Sequence, residues 1–274
     1  MSLHLFLLNL KLGRFGLVAW AAFLGAYGVL VVYLYPSIDD ASGLIETLEG
    51  LPQGARRAIG LSDGALEVAF PGGQFSFAGA LTTDYLIWIP VFVGIYALVV
   101  GSGVIGREMS QGVLGTLLSL PLRRHEYILS KSLAFTILLA ALGTVSWGAV
   151  MAAATIIDVE VSGGNMALVL TIGFLLVLAI FSYSLLISTL LVQPRSALAA
   201  AVLVTFILYM LNFMAPAYDA ASWLEKGSLF HFYQPFALVS GAEVNWAGLG
   251  VYGGVIIFGY LASLGVFLRR DITS

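Results

Sequence analysis

The sequence has no cysteine among its 274 residues, which excludes disulfide frameworks, thiolate nucleophiles and cysteine-based metal sites together. It also has little charge. Only 10% of residues are Asp, Glu, Lys or Arg, against about 25% in a soluble domain, and a water-facing surface cannot be built from so few. A net charge of −3 argues against a nucleic-acid partner, which needs a dense basic surface. Histidine is scarce: His4, His125 and His231 are the three, and none lies inside a long apolar run. A membrane hydrolase needs a base within hydrogen-bond reach of its nucleophile. Ser102, inside an apolar run, therefore reads as a helix residue bonding its own backbone. The sequence contains no GxxxxGK[ST] phosphate loop, so it carries no nucleotide site of that kind.

What is abundant is hydrophobicity, at 60% of the chain, and it comes in long runs. Six of them are long enough to cross a bilayer core, at 15–35, 86–106, 132–157, 166–192, 197–218 and 247–268, given that a helix needs about 20 apolar residues to do so. Backbone groups in lipid must be satisfied within the segment, so these runs are helices. None shows the alternation of a membrane β-strand. The expected fold is all-α: one polytopic transmembrane helical bundle of six spans covering 1–274. The first run is longer than a secretory signal and reads as a retained span. Gly101, Gly103 and Gly106 spell GxGxxG, yet they close an apolar run and do not follow a strand. They read as helix-packing glycines. Gly250 and Gly254 offer another close-packing face.

Charge placement sets the expected orientation. With the N-terminus in the cytoplasm, nine of twelve basic residues fall inside: Lys11, Arg14, Arg107, Arg123, Arg124, Lys131, Arg195, Arg269 and Arg270. Twelve of the fifteen acids then fall outside. An even number of spans returns the C-terminus to the cytoplasm. Four non-spanning pieces remain. Residues 1–14 suit a helix lying in the inner interface. Residues 36–85 form an outer loop, with short amphipathic helices over 41–61 broken at Pro52. Residues 107–131 form the longest inner segment. Residues 219–246 form a second outer loop, whose Trp223, Phe230, Phe232, Tyr233 and Trp246 suit the membrane interface.

The inner segment is the distinctive one. It carries apolar residues at helical spacing, Val113, Leu117 and Leu120, and ends that helix at Pro121. A charged turn follows, with Arg123, Arg124, Glu126 and Lys131. A cytoplasmic helix with an apolar face, wedged between two spans, suits docking onto a moving partner. His125 in the same turn lacks companions for a metal site.

This segment resembles the permease subunits of type-two ATP-binding-cassette (ABC-2) exporters. Their pattern is a Glu, then Gly-Thr-Leu-Glu four residues on, then Leu-Leu-Ser-x-Pro, an Arg three later and a Lys seven beyond it. Here Glu108, Gly112, Leu114, Leu117, Leu118, Ser119, Pro121, Arg124 and Lys131 stand at matching spacing. Val113 and Gly115 replace the family's Thr and second Glu. LEGLPQGARRAIG at 48–60 and FLRRDI at 267–272 resemble the family's outer helices and its usual ending.

The resemblance implies an ABC-2-type permease architecture and a division of labour. Two ABC ATPase subunits bind ATP and Mg, this chain binds no cofactor, and a second permease chain, identical or paralogous, completes the path. Coupling to the ATPase is then expected from Arg107, Glu108, Gly112, Leu117, Pro121, Arg123, Arg124, Glu126 and Lys131. Arg195, in the short inner turn 193–196, is a second expected contact. The expected setting is the plasma membrane of a prokaryote, in contact with membrane lipid. The spans hold almost no ionisable residue, Asp84 and Asp158 lying at edges, which argues against an ion-driven carrier. That scarcity points to a hydrophobic or amphipathic cargo. Alternatives of other classes are a membrane anchor or assembly factor without transport, and an intramembrane enzyme. The second lacks buried acids and bases in the spans.

Overall fold

The structure, a computed structural model, describes residues 3–35, 50, 71, 76–110, 124–159, 161–191, 193–215 and 219–269. The amphipathic helices expected over 41–61 lie outside these residues. So do 111–123 of the inner segment and the last residues of FLRRDI.

Six helices among the described residues are long and apolar enough to cross a membrane, and no strand occurs among them. They are α1 (Leu3–Leu34), α2 running into α3 (Phe77–Leu81, Ile89–Ser110), α4 (Arg124–Ile156), α5 (Gly163–Leu190), α6 (Pro194–Met214) and α8 (Trp246–Arg269). Each matches one of the six apolar runs, but α1 and α4 begin well before theirs. Apolarity marks the stretch that lipid accepts, whereas a helix once started propagates through polar residues as well. The N-terminal segment thus continues into the first span. At 32 residues, α1 is about 48 Å long, more than the roughly 30 Å hydrocarbon core requires.

Local chemistry sets several ends. Ser162 caps α5 by accepting from Asn165 N at 3.3 Å, and Ser76 caps α2 by accepting from Gly79 N at 2.9 Å. Pro194 and Pro235 each open a helix, where a missing N–H costs nothing. Between α2 and α3 the chain makes one π-helical turn, Thr82–Leu86, closed by Ile87 N donating to Thr82 O at 3.1 Å. The wider turn disturbs the regular ladder, and Trp88 N bonds Tyr85 O at 3.1 Å. The Asp84 carbonyl accepts from the Tyr27 hydroxyl of α1.

One span helix packs mainly on another that runs in the same direction. Along α3 and α5 the neighbours advance together: Pro90 with Gly173, Gly94 with Ile180, Gly101 with Ser184, Ile105 with Ser188. α1 lies along α4 in the same sense, with Gly25 against Ala149 and Gly28 against Val150. α8 lies along the other side of α5. The central helix is therefore α5, flanked by α3 and α8. Gly101 and Gly259 permit both approaches. A Cβ on Gly101 would stand 2.8 Å from Ser184 Cβ, and one on Gly259 would stand 2.8 Å from Ser182 Cβ. Gly101 thus packs helices, as its motif suggested, and Ser102 Oγ bonds Val99 O at 3.4 Å in its own helix. Gly250 and Gly254 differ: a Cβ on either would meet no atom within 4 Å, so that face looks out of the bundle.

The end of the bundle opposite the 107–131 segment is closed by 219–245. Two 3₁₀ turns (Asp219–Gly227, Leu229–Phe232) and a short helix α7 (Pro235–Val239) fold back onto the spans. Proline at 90 has no N–H, so the Leu86 carbonyl one turn earlier loses its helical donor. The Tyr233 hydroxyl supplies one, at 2.7 Å, and Gly173 leaves room for its ring. Burial, then the nearby Tyr252, raise the pKa of Tyr233, so it stays a neutral donor. Asn165 Nδ2 and Tyr252 hydroxyl hold the same segment through Val239 O at 2.9 Å and Leu229 O at 3.0 Å. Trp223 and Trp246 are exposed, as interfacial aromatics would be, whereas Phe230, Phe232 and Tyr233 pack against the core.

Candidate functional site

The site lies where α3 ends and α4 begins. Six of the residues expected there sit on described helices: Arg107 and Glu108 on α3, Arg124, Glu126 and Lys131 on α4, and Arg195 on the first turn of α6. The parallel packing brings all of these helix ends to one end of the bundle, together with Lys11, Arg14 and Arg269. Gly112, Leu117, Pro121 and Arg123 lie outside the described residues.

The 107–131 segment is not all loop. The first turns of α4 include residues 124–131, so Lys131 stands two turns inside a helix and not beside it. Tyr127 and Lys131, four residues apart, share one face, and the Lys131 ammonium lies 4.8 Å from the Tyr127 ring centre. Both side chains reach one acceptor on α3. Tyr127 hydroxyl donates to Val104 O at 2.8 Å and Lys131 Nζ donates to it at 3.1 Å. A carbonyl has two lone pairs and can accept more than once. An ammonium at this depth is tolerated when it meets a backbone carbonyl, and the Tyr127 face adds a cation–π contact.

The same ring reaches a third helix. Tyr127 is buried and stacks on Phe267 of α8, with ring centres 6.0 Å apart and planes 22° from parallel. On the same turn of α3, Ser188 of α5 donates to Ser102 O at 2.8 Å and accepts from Ile105 N at 3.4 Å. The first turns of α4 are thereby tied to α3 and α8, and α3 to α5, within two helical turns.

Arg195 is exposed and follows Pro194. Ser196 Oγ bonds Gln193 Oε1 at 3.3 Å across the turn that presents it. The structure brings Arg195 to the same end as α4's first turns.

Tyr127, Phe267 and the Val104 carbonyl were not among the expected site residues. A tyrosine one turn before Lys131 was a visible signal, since a Tyr–Lys pair at that spacing shares a helix face. Phe267 had no signal, because it is distant in sequence and one apolar residue among many. Among the described residues no group of three or more His, Cys, Asp or Glu could hold a metal ion.

No curated protein matches the sequence. A family model described as "ABC-2 family transporter protein" matches residues 15–272.

Proposed function

The chain belongs to the ABC-2 family of transporter proteins, and from that premise we propose that this multi-pass membrane permease subunit of an ABC transporter exports a hydrophobic or amphipathic substrate. Two copies of a separate ATPase subunit, binding ATP and Mg, drive it. A second permease chain, identical or paralogous, completes the path. Both termini face the cytoplasm of a prokaryotic cell, and the plasma membrane is its site.

Coupling runs through the end of the bundle that gathers Arg107, Glu108, Arg124, Glu126, Lys131 and Arg195, with Gly112, Leu117, Pro121 and Arg123 in the connecting segment. The observation that carries this reading is the Tyr127–Lys131 pair on Val104 O. When ATP-driven closure of the ATPases moves 107–123, the start of α4 follows. α4 is bonded to α3 and stacked on α8, so those spans move with it as a unit. The basic residues at this end complement an acidic groove on a partner, a steering role that is screened by salt.

The orientation rests on the bias of nine basic residues to three under the positive-inside rule. The apolar cargo rests on the near absence of ionisable residues in the spans. The test is reconstitution of the chain with its ATPase in vesicles, with ATP hydrolysis and transport measured together. Glu108→Ala and Arg124→Ala are expected to leave membrane insertion intact while hydrolysis no longer drives transport. Normal transport in both variants would sink the coupling assignment.

A further inference from the structure

The two basic residues of α1 face a different neighbour from the others at the coupling end. Arg124 and Arg195 stand in the first turns of α4 and α6. Lys11 and Arg14 lie farther along their own helix, on a side that no other helix covers. The stretch of α1 from Arg14 to Leu34 is about 30 Å long, the thickness of the hydrocarbon core. Arg14 therefore sits where hydrocarbon gives way to headgroups, with Lys11 one turn nearer the coupling end.

Lys11, Arg14 and Val18 follow one another at three and then four residues, so they form one stripe. All three are exposed, as are Leu12 and Phe15 beside them, at 68% and 72%. The other side of the helix is the packed one, where Gly13 meets Leu138 of α4. An exposed side this apolar is a surface for lipid, not for water. Cα–Cβ bonds tilt toward a helix N-terminus. Both long side chains therefore set out toward the headgroups, the direction in which basic side chains snorkel.

Among the described residues neither Lys11 nor Arg14 has a carboxylate partner. The Arg14 guanidinium lies 4.8 Å from the Phe15 ring centre, a contact that leaves its in-plane N–H donors available. Two neighbouring cations without a counter-charge call for an anion at this depth. We propose that Lys11 and Arg14 bind the phosphate of one anionic phospholipid, in the leaflet at the coupling end, with an acyl chain along Phe15 and Val18. A guanidinium can take two phosphate oxygens at once, and Lys11 adds a point charge. A zwitterionic headgroup carries its own ammonium, which the same two cations repel, so the pair selects an anionic lipid. The site stands independently of the coupling reading, since it needs neither ATPase nor cargo.

With no native cysteine in the chain, a single reporter can be placed at will. Val18→Cys, 64% exposed at this site in the native chain, is labelled with bimane. The full chain is then reconstituted in phosphatidylcholine vesicles. These hold a fixed minor fraction of acyl-brominated phosphatidylglycerol or of acyl-brominated phosphatidylcholine, and bromine quenches on contact. Brominated phosphatidylglycerol is expected to quench the label well above brominated phosphatidylcholine. At Phe206→Cys, on the outward face of α6, the two are expected to quench alike. Expressed as a relative affinity, the preference is expected to fall about fivefold in Lys11→Gln or Arg14→Gln, the worth of one basic residue beside an anionic surface. It is expected to vanish in the double variant and to persist in Lys11→Arg. Equal quenching by the two lipids at Val18→Cys, or a preference that survives the double variant, would overturn the proposal. So would a label that neither lipid quenches, which would give the stripe to water and a soluble partner.

Discussion

Helices α5 and α6 follow one another in sequence, and both are apolar throughout. In α5, 61% of the most apolar stretch is buried; in α6 the figure is 11%. Hydrophobicity cannot explain the difference, because lipid is as apolar as leucine and gives no reward for hiding one. The difference is in the small and polar residues. α5 carries Ser182, Ser184 and Ser188, all fully buried, and meets glycines on both sides. α6 buries only Ala197 and Ala201, and turns Leu203, Phe206 and Ile207 outward. Among lipid tails, close backbone approach and interhelical hydrogen bonds select the central helix, and large apolar side chains are left facing out.

The strongest way to break this comparison is to fill the closest approach. Gly259→Leu forces a branched side chain against Ser182, whose carbonyl carbon lies 2.9 Å from where a Cβ would stand. Overpacking of this kind costs about 1–3 kcal/mol or more. A clear drop in melting temperature and in folded yield in detergent is expected; an unchanged melt would show that α5 and α8 are not held as described. Next comes Tyr233→Phe, which removes the donor that Leu86 O depends on after proline has removed the usual one. An orphaned buried carbonyl costs about 1–3 kcal/mol, read as a lower melting temperature and as faster proteolysis within 219–245.

A smaller effect sharpens the same point. Ser188→Ala deletes one bridge between α5 and α3, and such bridges average about 0.6 kcal/mol in a membrane protein. A modest fall in melting temperature is expected. The smallest effect belongs to α6: Leu203→Ala with Phe206→Ala should shift the stability of the isolated chain by no more than about 0.5 kcal/mol. If that pair proved as costly as Gly259→Leu, exposure would be a poor guide, and α6 would have to be packed against something stable.

The legibility of these features follows one rule. Six spans were readable because length and apolarity suffice to identify them. The packing role of Gly101 was readable because its motif ends an apolar run. The family-like pattern from Glu108 to Lys131 was readable as a motif, but the start of α4 at Arg124 was not. Lys131 looked like a loop charge, since sequence cannot show that Val104 O waits to receive it. The role of Tyr233 was missed for a related reason: an aromatic near a span end suits the interface equally well, and only its approach to Leu86 distinguishes the two.

By itself, then, the sequence determined solvent, class and lineage: lipid from the runs of apolar residues, an all-helical bundle from the need to satisfy backbone groups without water, and the family from an ordered inner motif. Tertiary structure alone decided which helix is central, which helices run side by side in the same direction, and which carbonyls borrow donors from distant tyrosines, a lysine and serines. The physical reason is that in a bilayer every span is equally apolar. The choice of neighbours rests on contacts of a few ångströms between small residues far apart in the chain.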